Sequence, residues 1–450
     1  MPQQADISFA ELAQNANLLK KTRGDKVIWA LVGLLVLVSL LVVYSATGSL
    51  AYQKYKGNTE VYLFKQIVFI ALGFCVIYFA HRVNYTLYSR VAKLLFLLSV
   101  PLLVYTLFFG ATINQGSRWI RLPIINMTMQ TSDLARLALF MYLARLLSRR
   151  QNVIKDFRKG FLPVILPIAL TCALIAPANL STALLLGATC MMLLFIGRVS
   201  GKHLLLVVGV AAIPIFMLVS AAMIKHKTGG EEEESSVVQK TTSNPLTRRV
   251  STWVSRVENY MYGSKQALSD DSYQTDQAKI AIAQGGLLGV GPGNSTQRNF
   301  LPQAYNDFIF PIIIEEYGLI GGMFIAFIYL ALLYRCIRLY KRCPYAFGAF
   351  LALGLSFTLV LQAMANMAVA VNLFPVTGVT LPLVSMGGSS FLFTCLAIGI
   401  ILSVARNVEQ HEGKERLKEE RAQRKAEAEA AGEDDEDEES VIEETEAVVV

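Results

Sequence analysis

The chain has 450 residues, of which 54% are hydrophobic and 17% charged, and its formal net charge is +7. Apolar runs of membrane-spanning length recur from residue 27 to residue 404, which excludes a soluble multidomain protein and indicates a polytopic membrane protein. The 6 cysteines lie in apolar runs or a short basic loop and the 4 histidines are scattered, so neither a disulfide framework nor a histidine metal site is indicated.

The hydropathy pattern predicts ten spanning helices after a polar N-terminal segment, residues 1–26. The spans lie near residues 27–44, 62–80, 91–109, 132–147, 160–177, 180–197, 203–224, 307–333, 347–371 and 388–405. Basic residues crowd every second short connection, and the positive-inside rule makes those connections cytoplasmic. We therefore expect an all-α membrane protein with both termini cytoplasmic, a ten-span domain over residues 27–407, and a long outer loop over residues 225–306 within it.

The end of the sequence differs in composition from the rest. Residues 409–450 hold 17 Asp and Glu against 6 Lys and Arg, a net charge of −11, which leaves +18 on the remainder. A segment with so many charges and so few apolar side chains cannot bury a core. We expect residues 408–450 to form a disordered, charged cytoplasmic tail.

In this topology three spans run inward from the outer face, and each begins with polar residues. Span four begins at Ser132 and Asp133, span eight at Asp307, and span ten at residues 387–390. We therefore expect these three polar N-termini to converge on the outer side of the membrane.

Span four carries a charged pair. Asp133 and Arg136 are three residues apart, which puts them on one helix face within pairing distance. An N-cap at Ser132 with Asp133 in the first turn would explain the acid alone, but not Arg136 one turn deeper. The preceding outer loop adds Arg118, Trp119 and Arg121.

Span eight carries three acids, Asp307, Glu315 and Glu316. Acidic side chains within or beside a span cost several kcal/mol to insert, which points to function. Taken alone, Asp307 could be an N-cap. Since a helix turns about 100° per residue, Glu315 should share the side of Asp307 and Glu316 should not. We expect Glu315 to line a cavity and Glu316 to pair elsewhere.

Three polar stretches have simpler explanations. The start of span ten could bind phosphate oxygens through free N–H groups, or could be an ordinary serine cap. Asn179 and Ser181 could simply cap span six. The glycine-rich tract at residues 285–293 lacks nucleotide-binding spacing and instead favours tight turns or re-entry beside the membrane.

Several runs together resemble one family. They are RWIRL, QTSDLARLAL, YQTDQAKIAIAQGGLLGVGPGNS, FLPQAYNDFIFPIIIEEYGLIGG and NMAVAVNLFPVTGVTLPLVSMGGSS. In this order, and within a ten-span frame over residues 27–407, they are similar to the SEDS family (shape, elongation, division and sporulation), which includes FtsW, RodA and SpoVE. The run GDKVIWA and the long charged tail look closer to FtsW than to RodA.

The resemblance implies a peptidoglycan glycosyltransferase that polymerises lipid II at the outer face of the bacterial cytoplasmic membrane. Implied partners are a class B penicillin-binding protein, which is a transpeptidase, and other membrane proteins of the division complex at the septum. The family's catalytic aspartate falls on Asp307 of NDFIF and its RWI tryptophan on Trp119. Asp133 and Arg136 stand where other members have Glu and Lys. Where many members have PDLGT this chain has ANLST, so Asn179 and Ser181 are given no role.

The chemistry agrees with these residue types. Asp307 can act as the base that deprotonates an attacking sugar hydroxyl, while cations and N–H groups stabilise the pyrophosphate leaving group. We expect substrate contacts from Arg118, Trp119, Arg121, Gln130, Asp133, Arg136, Glu315, Asn366, Ser385, Gly387, Gly388, Ser389 and Ser390. No cofactor is predicted with certainty, and one carboxylate is weak support for a divalent metal such as Mg²⁺ or Mn²⁺.

Three alternative functions stay open on the sequence alone. They are a RodA-like polymerase for cell elongation, a lipid II flippase, and a structural scaffold for division. A flippase needs polar groups throughout the membrane, whereas the charges here cluster in the outer half and spans one, seven and nine are nearly free of them. A scaffold has no need of an aspartate at position 307.

Overall fold

The structure is a computed structural model, and it describes residues 24–48, 60–113, 116–121, 128–228, 245–262, 270–301 and 304–431. Its α-helices are α1 (Lys26–Ala46), α2 (Glu60–Arg82), α3 (Tyr85–Phe109), α4 (Thr131–Arg149), α5 (Leu162–Ile175), α6 (Leu180–Ile196), α7 (Gly201–Thr228), α8 (Pro245–Tyr262), α9 (Asp270–Gly285), α10 (Ile309–Arg342), α11 (Ala346–Ala370) and α12 (Ser389–Ala431). Three short strands, β1 (Ala111–Ile113), β2 (Gly116–Arg121) and β3 (Thr128–Gln130), form an antiparallel sheet in that order.

All ten predicted spans coincide with helices, although two of those helices are not typical spans. Among the described residues, 8 helices are long and apolar enough to cross a membrane, namely α1, α2, α3, α5, α7, α10, α11 and α12. Helix α6 is apolar but has only 17 residues. Helix α4 carries Asp133, Arg136, Arg145 and Arg149, and most of its other side chains are buried. Packing against α3 and α11 therefore gives α4 a protein environment in place of lipid.

The centre of the helical bundle is α11. It has no charged residue and nearly all its side chains are buried, because it packs against α4, α6 and α10. Gly354 lets α11 approach α4 and α6 closely, since a Cβ there would lie 2.9 Å from the ring of Phe140 and 3.0 Å from Leu193. Helix α7 is at the other extreme, with most of its large apolar side chains exposed as expected of a lipid-facing helix.

In the predicted outer loop, residues 225–306, the described part includes the helices α8 and α9 and then a glycine-rich turn. Helix α9 packs along α10, and the turn after it bonds to the main chain of α10 around Gly318. Gly318 has φ 70° and ψ −176°, so α10 is interrupted there. This contact lies about two to three turns below the start of α10. The glycine-rich tract therefore turns tightly, as its composition predicted, and packs its main chain against α10.

The last helix corrects one prediction. We expected a disordered tail from residue 408, but α12 continues as a helix to Ala431, and residues 432–450 lie outside the described residues. Hydropathy marks only the apolar part of a helix. The stretch after residue 408 is rich in Glu, Lys, Arg and Ala, which are strong helix formers, and so extends the span.

Candidate functional site

Three helix N-termini meet at one end of the bundle. Strand β3 leads directly into α4, and the main-chain N–H of Gln130 at that junction donates to the hydroxyl of Ser389, the first residue of α12, at 3.3 Å. The segment between α11 and α12 joins this end to the start of α10, because the N–H of Met386 donates to the oxygen of Tyr305 at 3.0 Å. The topology predicted this convergence, and the charge rule puts it on the outer side.

Asp307 lies in a turn just before α10. The N-cap position belongs to Phe308, which has no side-chain capping bond, so Asp307 is not the cap that its sequence position allowed. Its main chain is held from two elements. The Asn366 side-chain amide donates to the oxygen of Asp307 at 2.8 Å, and the Ser385 hydroxyl donates to the oxygen of Asn306 at 2.6 Å. Asn366 and Ser385 thus support the catalytic candidate through its backbone.

The carboxylate of Asp307 is half-buried and faces the segment between α11 and α12. A Cβ on Gly378, which has φ +64°, would lie 3.4 Å from Asp307 Oδ2. Burial raises the pKa of nearby Tyr305 above its ordinary value, and electrostatic interaction with Tyr62 and Asp307 adds to that rise. The glycine leaves space directly in front of the acid.

The predicted pair in α4 is confirmed. Arg136 Nη2 lies 3.2 Å from Asp133 Oδ1, with both side chains largely buried. The other Arg136 nitrogen, Nη1, donates to Gln362 Oε1 at 2.5 Å, and Gln362 Nε2 donates to the oxygen of Thr380 at 3.0 Å. A polar chain therefore runs from α4 through α11 to the segment before α12. Gln362 was not among the predicted site residues, although an amide one turn before Asn366 in a largely apolar span was a usable signal.

The sheet of strands β1, β2 and β3 carries further residues predicted to contact the substrate. Trp119 is half-buried and pairs with Gln130 across β2 and β3, which brings it to the start of α4. The Gln130 side chain donates to the hydroxyl of Ser132 at 2.9 Å. Arg118 and Arg121 lie on β2 on either side of Trp119, and their side chains lie outside the described residues.

The start of α12 is a tight turn. Gly388 has φ +52°, a conformation that favours glycine, and the N–H of Ser390 donates to the oxygen of Gly387 at 3.1 Å. Ser389 and Ser390 are buried, and Ser389 already accepts from Gln130. This helix end is thus joined to α4, as the predicted convergence requires, through a Gln130–Ser389 bond that the sequence did not specify.

The structure corrects the expected role of Glu315. Its side chain is 1% exposed, and both carboxylate oxygens accept hydrogen bonds from the residues that follow the glycine-rich turn. It does not line an open cavity. Glu316 accepts a hydrogen bond from the Ser45 hydroxyl of α1, which agrees with the expectation that it pairs elsewhere. The helical wheel treated Asp307 as part of the helix, whereas it lies in the turn before α10, and the wheel could not show which neighbour covers each glutamate.

Two further predictions concern Asn179 and a divalent metal. Asn179 is the N-cap of α6, where its side chain accepts from the N–H of Thr182 at 3.3 Å, so capping accounts for it. For the metal, no three His, Cys, Asp or Glu side chains lie together among the described residues. Mg²⁺ is often held by one or two carboxylates together with waters and substrate phosphates, and among these residues Asp307 by itself does not make a resident site from protein ligands. We derive no step through a metal.

A family model described as cell cycle protein, which groups FtsW, RodA and SpoVE, matches residues 25–410 of the chain. The protein belongs to this family. It is 32% identical over 394 residues to stage V sporulation protein E of Bacillus subtilis (strain 168), covering 86% of this chain and 98% of that protein. It is 31% identical over 384 residues to the probable peptidoglycan glycosyltransferase FtsW of Coxiella burnetii, covering 83% and 94%.

Two solved structures share the fold of this family member. A protein from a structure titled as a peptidoglycan synthase complex that coordinates polymerization and crosslinking superposes with a TM-score of 0.64, at 22% identity, over 86% of this chain and 98% of that chain. The rod shape determining protein RodA of Thermus thermophilus gives a TM-score of 0.58, also at 22% identity, over 85% and 97%. These similarities establish a multi-pass membrane fold.

Proposed function

We propose that this protein is a peptidoglycan glycosyltransferase that polymerises lipid II at the outer face of the cytoplasmic membrane and releases undecaprenyl pyrophosphate. The observation that carries the proposal is the half-buried carboxylate of Asp307, whose main chain Asn366 holds at 2.8 Å beside the joined N-termini of α4 and α12. Relatives at 31–32% identity named probable peptidoglycan glycosyltransferase FtsW support the reaction class.

The proposed reaction forms one bond and breaks another at the same carbon. The hydroxyl of one sugar attacks the anomeric carbon of the other, and Asp307 takes the hydroxyl proton as the new C–O bond forms. The bond from that carbon to the phosphate oxygen breaks, and negative charge grows on the pyrophosphate. A carboxylate with a fixed main chain suits this task because a base must lie within hydrogen-bond reach of the proton it removes.

Stabilisation of the leaving group falls to the elements around Asp307. The first turn of α12 offers main-chain N–H groups, and the positive end of its dipole favours a pyrophosphate. The half-buried Trp119 and the neighbouring Arg118 and Arg121 belong to the strand beside the start of α4. Arg136 is bonded to Asp133 and Gln362, so its proposed role is to fix α4 against α11 and to add positive potential.

For partners and cellular location we propose a class B penicillin-binding protein as the transpeptidase, with other division-complex membrane proteins, at the septum. The solved synthase complex with the same fold couples polymerization to crosslinking, which supports a transpeptidase partner. Relatives named FtsW favour division over elongation. A flippase is less well supported, since α1, α7 and α11 contribute no charged residue at mid-membrane depth.

The deciding experiment gives fluorescently labelled lipid II to the purified protein in nanodiscs, alone and with the transpeptidase. We expect Asp307→Asn to reduce polymer formation at least a thousandfold while the protein folds and inserts normally. Asp276→Asn is the matched control, because Asp276 is an exposed acid on α9 that forms only a surface pair with Lys279. Polymer yield from Asp307→Asn near that of Asp276→Asn would refute the proposed base.

A further inference from the structure

The segment after α9, residues 285–301, docks on α10 through main-chain bonds. The N–H of Val290 donates to the oxygen of Glu315 at 2.9 Å, and the N–H of Gly291 donates to the oxygen of Glu316 at 3.0 Å. In return, the N–H of Leu319 donates to the oxygen of Gly286 at 2.9 Å. The interruption of α10 at Gly318 frees these groups from the helix, so the 285–301 segment and α10 satisfy each other.

The contact is too close for side chains. A Cβ on Gly285 would lie 2.0 Å from the oxygen of Ile314, and one on Gly289 would lie 2.2 Å from the oxygen of Glu316. A Cβ on Gly318 would lie 2.2 Å from the oxygen of Leu287. The glycines therefore allow two backbones to meet directly, which explains why they cluster in this tract.

Glu315 fastens the next part of the 285–301 segment. One carboxylate oxygen accepts from the Ser295 hydroxyl. The other accepts from the N–H of Thr296 at 2.9 Å, the hydroxyl of Thr296 at 3.1 Å and the N–H of Gln297 at 3.2 Å. These donors offset the cost of burying the charge. With the side chain 1% exposed and both oxygens turned to these donors, Glu315 faces the segment and not a substrate.

Glu316, the next residue of α10, fastens the same segment through Ser45. It is 1% exposed and accepts from the hydroxyl of Ser45 near the end of α1. Arg298 donates to the oxygen and the hydroxyl of that same serine, at 3.2 Å and 3.0 Å. The acid and the arginine thus share one serine, and the end of the 285–301 segment is tied to both α1 and α10.

The chain runs from this anchor directly to Asp307. Leu301, Ala304 and Phe308 are buried in one apolar cluster with Ala46, Ala278 and Ile312 from three helices. Tyr305 packs against the same cluster. Asp307 therefore lies on a short stretch that is fixed before it by the two glutamates and around it by the cluster.

We propose that Glu315 and Glu316 are positioning residues that fix Asp307 by holding the 285–301 segment against α10, without contacting the substrate. The inference rests on the proposed role of Asp307 and extends it to two acids in the membrane. It differs from the first expectation from sequence, in which Glu315 faced a cavity. A positioning role depends on the shape and acceptor atoms of the side chain more than on its charge.

The Gln and Ala variants at position 315 separate a positioning role from a role that needs the negative charge. Glutamine keeps the side-chain length and one oxygen that can accept from Thr296 and Gln297, while the Ser295 hydroxyl can turn to accept from the new amide. We expect Glu315→Gln to lose about threefold in kcat and Glu315→Ala at least thirtyfold, with the KM for lipid II within twofold of wild type. Glu316→Ala should lose about tenfold. Asp276→Ala, on the exposed face of α9, is the control.

Hydrogen exchange in nanodiscs supplies a readout independent of catalysis. Amides of residues 285–301 should exchange at least tenfold faster in Glu315→Ala, and within threefold of wild type in Glu315→Gln. If Glu315→Ala does not fold, Ser295→Ala, which removes one donor to Glu315, should exchange faster in this segment than Glu315→Gln does. Equal kcat losses for Gln and Ala, or unchanged exchange in Glu315→Ala, would overturn the positioning role. Failure of wild type to make polymer would overturn the proposed function, while exchange would still decide whether the glutamates hold the segment.

Discussion

The side-chain amide of Asn366, near the end of α11, donates at 2.8 Å to the main-chain oxygen of Asp307. The same nitrogen donates at 2.7 Å to the oxygen of Val379. One buried amide thus joins the catalytic turn to the segment between α11 and α12. A single side-chain nitrogen therefore donates to two main-chain oxygens, so its loss should be felt at both.

We predict that Asn366→Leu lowers the polymerisation rate about tenfold or more. Leucine has similar volume but cannot donate, so the Asp307 turn loses a fixed point and two oxygens lose a donor. An unsatisfied buried polar group costs about 1–3 kcal/mol. The rate of labelled lipid II polymerisation in nanodiscs measures the effect.

The aspartate variant at this position sharpens the test. Asn366→Asp is expected to be worse than Asn366→Leu at neutral pH, because a carboxylate oxygen would face two main-chain oxygens. A ranking with Asp above Leu would mean that the amide does not act as a donor there.

A second prediction concerns the pair in α4. Single reversals, Asp133→Arg and Arg136→Asp, should each abolish most activity, because each leaves like charges together in a buried site. The double reversal should recover more than the single losses predict, with a coupling energy of about 0.5–3 kcal/mol. Recovery should stay incomplete, because Gln362 Oε1 accepts from Arg136 in the wild type and would face an aspartate at position 136 in the double variant. Additive losses in a double-mutant cycle of polymerisation rates would contradict the pairing.

Much of the fold could be predicted because spanning helices leave a local signal. Apolar length predicted ten spans that each coincide with a helix, but it ended span eight near residue 333, whereas α10 reaches Arg342. It also could not show that α4 is sheltered by protein, since that depends on which neighbours pack around it. Helix ends beyond the apolar core depend on helix propensity, which hydropathy does not measure.

Contacts between side chains of the site were predictable only where one helix supplies both of the contacting residues. Asp133 and Arg136 are three residues apart, so helical geometry alone predicts their contact. The partners of Glu315 and of Arg136 come from other elements, and no local pattern points to them. Asp307 was found through the resemblance of NDFIF to a family motif, since its sequence position alone was compatible with a helix cap.

The third prediction tests the close contact at the interruption of α10. Gly318→Ala should reduce polymerisation at least tenfold, because φ is +70° there and the new Cβ would meet the oxygen of Leu287 at 2.2 Å. The matched control is Gly209→Ala in α7, where nothing lies within 4 Å of the added carbon. Polymerisation assays and thermal melts of both proteins in one detergent give the comparison. If the two variants behave alike, the contact does not constrain the catalytic turn.

The last prediction concerns the extension beyond the membrane domain. By the charge rule residues 409–450 lie on the cytoplasmic side, so proposed chemistry at the outer face cannot use them directly. We predict that truncation after Asn407 leaves polymerisation by purified protein within about twofold of wild type, a difference of about 0.4 kcal/mol in barrier. Truncation after Ala431, which keeps all of α12, is the control for loss of the helix itself. Any cellular defect should then lie in recruitment or abundance, measured by septal localisation and protein level. A truncated protein that inserts normally yet makes no polymer in detergent would show that the extension acts on the site across the membrane.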